Sequence, residues 1–198
     1  MKIVRTIIVA IAMTLCIAAP GLPAAQPSQA IGANMNPSKP AAAGLNDFDF
    51  LVGHWTVHHR RLKERLANSH EWIEFEGTAV TQKIMGGYGT LDDNVLELPG
   101  GTYRGVGLRS FEPKSGTWSI WWLDSRTPLG PLDPPVRGAF RDGVGTFSGD
   151  DTFNGIPIRV RYTWSKITAS SCHWEQGFST DGGATWETNW IMDFKRRG

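Results

Sequence analysis

The sequence predicts an all-β fold, an antiparallel up-and-down β-barrel of eight to ten strands. Three observations carry the barrel prediction. Beyond residue 47 the apolar residues recur with period two, the spacing of strands with one buried face. Gly, Pro, Asn and Asp clusters break this pattern at strand-length intervals. The nine Trp, nine Phe and three Tyr all lie beyond residue 47, enough aromatic bulk to fill or line a closed sheet.

Length and charge set the outer bounds. The chain of 198 residues is 40% hydrophobic and 20% charged, and roughly 100–200 residues make one domain. A net charge of +1 argues against a duplex-binding basic field, so no nucleic-acid partner is expected.

The first element along the chain reads as an address. Lys2 and Arg5 precede an apolar run from Thr6 to Ala19, and small residues with Pro20 and Pro23 follow. This is the pattern of a secretory signal peptide, assigned to residues 1–25. The run is shorter than the roughly 20 residues a span needs, so no membrane span is expected after signal removal. The expected location is periplasmic or secreted. Residues 26–46, rich in Ala, Pro, Asn, Ser and Gly, read as a flexible leader, and residues 47–198 as the barrel domain. Cys16 leaves with the signal, so Cys172 stands without an intrachain partner and reads as a small buried residue.

Within the domain the pattern predicts strands His54–Leu62, Glu71–Lys83, Val95–Leu98, Thr102–Phe111, Thr117–Asp124, Val136–Arg141, Val144–Phe153, Pro157–Ile167, Ser171–Ser179 and Thr185–Lys195. Asp142-Gly143 and Asn154-Gly155 suit type I′ hairpins, whose two central residues need positive φ. Only 61–70 could form a helix, and a short one. Sequential hairpin-joined strands form a meander, and closing it removes its edges.

Side chains alternate across a strand, so parity assigns an inside. Ile158, Val160, Tyr162 and Trp164; Trp174, Gln176 and Phe178; and Trp190, Met192 and Phe194 share the apolar face. Arg159, Arg161, Thr163, His173, Glu175, Glu187, Asn189 and Asp193 take the other. The same logic points Trp55, Val57, His59, Phe75, Trp118, Ile120 and Trp122 inward. The aromatics either fill the core or line a cavity.

Gly53-His54-Trp55 resembles the opening of calycins, the lipocalin-like barrels, in which such a Trp plugs one end. The resemblance implies that a basic residue late in the last strand, Arg196 or Arg197, packs over Trp55. The stretch 47–197 resembles a bacterial family, domain-of-unknown-function family 1579 (DUF1579). The resemblance rests on Leu98-Pro99-Gly100-Gly101-Thr102-Tyr103-Arg104-Gly105, Trp118-Ser119-Ile120-Trp121-Trp122, Trp174-Glu175-Gln176 and the segment from Ser179 to Glu187. It implies a lipocalin-like barrel and no agreed activity. Nitrobindin-type calycins hold haem by a His late in the chain, and Asn189–Lys195 contains none.

Other constellations are weaker. Ser179-x-Asp181-x-Gly183-x-x-Trp186 matches the Asp box of sialidase propellers, but one copy reads as a braced hairpin. No Gly-x-Ser-x-Gly elbow or Walker loop occurs, His54 and His58 fall on a strand and make no His-x-x-x-His helix, and neither metal nor cofactor is expected. The four-proline run from Arg126 to Pro135 reads as a connector or as a lid with Asp124 and Arg126 at its rim.

The sequence therefore points to an exported barrel whose partner is a small apolar or aromatic molecule. The candidate ligand-binding residues are Trp55, His59, Trp122, Asp124, Tyr162, Trp174, Gln176 and Trp190. Two alternatives stand beside it. One is a cofactor-independent enzyme (isomerase, lyase or hydrolase) using His59 or Asp124, with its catalytic residues unknown. The other is an envelope protein-interaction module using the outer charged face.

Overall fold

The computed structural model describes residues 43–128 and 130–198. The expected signal peptide and residues 26–42 of the expected leader lie outside these. Contacts of the domain begin just before Asp47: Trp118 donates its indole N–H to the Gly44 carbonyl at 3.0 Å, and Leu45 packs against the core.

Ten strands form one closed antiparallel barrel, as the periodicity predicts. They are β1 (Gly53–Leu62), β2 (Trp72–Ile84), β3 (Gly89–Leu98), β4 (Gly101–Glu112), β5 (Thr117–Asp124), β6 (Val136–Arg141), β7 (Val144–Phe153), β8 (Ile156–Ser165), β9 (Ser171–Ser179) and β10 (Glu187–Arg196). Each strand pairs with its neighbours in the chain, and β10 closes on β1 with Trp55 opposite Arg196. The turns behave as their chemistry demands, with φ of 51° and 78° at Asp142-Gly143 and of 50° and 80° at Asn154-Gly155. One junction is thin. β5 and β6 pair only from Trp118 to Ile120, and the proline-rich loop spans the remainder.

Three expectations are corrected. β3 begins at Gly89 rather than Val95, because its first half buries one side, Thr90, Asp92 and Asn94, and is not a turn. Residues 61–70 form no helix. Arg61 and Leu62 end β1, and the chain then bends with positive φ at Leu66 and Asn68. A bulge between Thr188 and Trp190 turns Asn189, expected outside, into a fully buried residue. The extra residue shifts parity, so Glu187 lies opposite inward-facing Phe178 rather than on the outer face.

One end is closed by aromatic packing. A 3-10 turn, Asp49–Leu51, caps it, and Phe48 packs edge-on to Trp118 and Phe140, both at 5.0 Å between ring centroids. Trp55 is fully buried there and donates to the Leu51 carbonyl at 2.7 Å. Of the two late arginines, Arg196 covers it, with its guanidinium carbon 4.2 Å from the ring centroid. The Asp-box hairpin between β9 and β10 is braced as a turn: Asp181 accepts from the Thr185 amide and hydroxyl, and Trp186 donates to the Gly183 carbonyl. Among the described residues no helix is long and apolar enough to cross a membrane.

Candidate ligand-binding site

Above the closed end the barrel holds a cavity of about 80 Å³. Six of the eight predicted residues line it: His59, Trp122, Tyr162, Trp174, Gln176 and Trp190. Four of them, Trp122, Tyr162, Gln176 and Trp190, also line a vestibule of about 310 Å³ at the mouth. These four form a collar between the two spaces. Asp124 lies in the vestibule. Trp55 is in the floor, away from the cavity lining.

The collar is built by cross-strand aromatics. Trp190 meets Trp174 and Trp122 edge-on, with centroids 5.8 and 6.5 Å apart. Trp174 lies 5.0 Å from Tyr162. Trp122 reaches its place because Gly105 lies diagonally across from it on β4, where a Cβ would come within 2.0 Å of the indole. The bulge at Asn189 serves the collar too, since its side-chain oxygen accepts from Gln176 Nε2 at 2.9 Å and fixes that amide.

His59 is 2% exposed and stacks flat on Phe75 at 4.6 Å. Burial, aided by His58 and Arg61, lowers its pKa to about 3, so the ring is neutral. Its Nδ1 accepts from the Trp190 indole at 3.2 Å, which leaves the proton on Nε2. Burial pushes the Tyr162 phenol well above its ordinary range, so it too is neutral.

The opposite wall is polar. Arg109 on β4 forms a buried ion pair with Asp92 on β3 and reaches Thr90, while Asn94 also donates to Asp92. Asp92, Asn94, Arg109 and Thr81 line the cavity. The Thr81 hydroxyl and Arg109 Nε are buried without a hydrogen-bond partner in the protein. Sequence reasoning missed this wall. Parity along β4 carried the signal, since Arg109 shares the face of Tyr103 and Phe111. The cavity thus has an aromatic side on β8–β10 and β5, and a hydrogen-bonding side on β2–β4. Such a pairing orients a small apolar molecule.

Asp124 is held at the mouth by Arg126, which donates from Nε at 3.0 Å and from Nη2 at 2.6 Å. Burial alone would raise the Asp124 carboxyl, and these bonds hold it below its ordinary value. The proline-rich loop contributes Arg126 and Asp133 to the vestibule. Among the described residues no group of three or more His, Cys, Asp or Glu is placed to hold a metal ion.

No family model and no curated protein matches this chain. Among solved structures it is similar to EF1p2_mFAP2b, solved bound to DFHBI, with TM-score 0.41 and 11% identity over 78% of this chain and all of that one. It is also similar to the S-type phycobiliprotein lyase CPES from Guillardia theta, with TM-score 0.54 and 10% identity over 76% of this chain and 90% of that chain. That second likeness is one of fold, and with the observed strand order it makes this chain a lipocalin-like ten-stranded barrel.

Proposed function

We propose that this protein binds a small apolar or aromatic molecule inside the barrel, its body gripped by the Trp122, Tyr162, Gln176 and Trp190 collar. The observation that carries this reading is the collar itself. Four side chains from four strands converge between a narrow inner cavity and a wider vestibule. The cavity alone takes only a substituent, whereas cavity and vestibule together reach the roughly 300–1,000 Å³ of ordinary ligand pockets. Export and membership of DUF1579 belong to the same proposal. They rest on the N-terminal charge and apolar pattern and on the quoted motifs.

Titration with N-phenyl-1-naphthylamine, which fluoresces when it leaves water, tests the reading. Saturable enhancement at one site is expected, with affinity about tenfold weaker in Trp190→Ala, the order expected for a lost aromatic wall. Absence of enhancement, or equal affinity in a folded Trp190→Ala protein, would overturn it. N-terminal sequencing of protein from the periplasmic fraction tests export: a start between Ala19 and Ala30 supports it, and retention of Met1 defeats it.

A further inference from the structure

The mouth of the barrel carries two guanidiniums without an ion-pair partner among the described residues. Arg61 continues the inward parity of β1 past His59, and its guanidinium carbon lies 5.7 Å from the Phe75 ring centroid and 5.5 Å from that of Trp190. Arg65, in the turn after β1, stands 4.5 Å over Phe153. Both line the vestibule. Among the described residues neither has an ion-pair partner. The carboxylates nearby are otherwise engaged: Asp124 holds Arg126, and Glu187 gives both oxygens to the Leu66 amide at 2.9 and 3.0 Å.

Beside them lies a donor without an acceptor. Tyr103 is 7% exposed and its hydroxyl has no hydrogen-bond partner in the protein, while Arg126 stacks 3.8 Å over its ring. Burial raises the Tyr103 pKa, against the pull of Arg126 and Arg61, so the hydroxyl keeps its proton to donate. Negative charge lies elsewhere on the rim, at Asp151 on β7 and Asp133 in the β5–β6 loop. An anion entering the vestibule therefore meets two guanidiniums that no carboxylate of the described residues pairs.

We propose that the ligand carries an oxyanion, of which a carboxylate is the simplest, bound by Arg61 and Arg65 and by the Tyr103 hydroxyl while its apolar body passes the collar. This rests on the ligand-binding reading above and adds the ligand's charge. Guanidinium groups held on aromatic faces are partly desolvated and present planar donors that match an oxyanion.

A matched pair of probes tests it on the full chain. N-phenyl-1-naphthylamine is neutral, and 8-anilino-1-naphthalenesulfonate is the same skeleton with an oxyanion. The sulfonate is expected to bind about tenfold more tightly, the order of one charge-assisted contact, and half-molar salt is expected to erase the advantage. The double variant Arg61→Gln, Arg65→Gln should bring the two affinities together. Equal affinities in the unaltered protein, or an advantage that survives salt or the double substitution, overturn the oxyanion site and leave the cavity reading standing. Failure of both probes to bind overturns both. The salt arm needs no substitution, so a misfolded variant does not remove the test.

Discussion

The indole N–H of Trp190 donates to Nδ1 of His59, so the last strand of the barrel sets the tautomer of a ring on the first. The bond also makes protonation of that ring costly, because a second proton on Nδ1 would meet a donor.

The consequence for stability has a definite sign. The pKa of His59 is lowered from 6.5 to about 3 in the folded chain, first by burial. Between those values the unfolded state holds the proton and the folded state does not, so stability falls as pH falls from 6.5 toward 3. The slope is about 1.4 kcal/mol per pH unit. Urea unfolding at pH 7 and pH 4.5 should show the unaltered protein losing about 2–3 kcal/mol more than His59→Phe. Equal losses would mean that His59 titrates normally.

The buried Asp92–Arg109 pair should respond asymmetrically to substitution. Asp92→Ala strands a buried guanidinium and is expected to cost about 3–5 kcal/mol. Replacing both, as Asp92→Leu with Arg109→Met, should recover most of that loss. Denaturant midpoints of the three proteins decide the matter. An additive double variant would show the pair to be solvated.

Arg196 and Arg197 are neighbours with unequal roles. Arg196 donates to the carbonyls of Phe50, Val52 and Ala169 and covers Trp55, whereas the Arg197 side chain is exposed. Arg196→Ala is expected to destabilise by about 2–4 kcal/mol, the sum of charge-assisted bonds and a cation–π contact. Arg197→Ala should stay within about 0.5 kcal/mol. Calorimetric unfolding of both separates a clamp from a charged tail.

Much of the barrel was legible because its local signals agree. Period-two aromatics, I′ dipeptides such as Asn154-Gly155 and the plug at Trp55 all describe the same closed sheet. The collar was legible for the same reason, since Tyr162, Gln176 and Trp190 share one parity. What escaped was polar residues facing in. Asp92 and Asn94 look like turn formers, and only their buried partner Arg109 on the next strand makes them strand residues. Arg61 has the parity of His59, yet a charge at an inward position reads as solvent until the mouth is known to be there. At Asn189 a single bulge reversed the alternation, and no residue type in that stretch announces it.

The thin β5–β6 junction makes the barrel a hoop with one weak weld. Strain applied anywhere on the ring concentrates where the fewest ladder bonds resist it, so the wall should part along Trp121–Asp124 before any other junction opens. Amide hydrogen exchange read by mass spectrometry should find that segment and β6 exchanging well ahead of β1 and β2, whose ladder runs from Gly53 to Leu62 without a break. Trp122 sits on the parting line. A guest could then leave sideways through the wall, and the charged rim would govern arrival while the weld governs residence time.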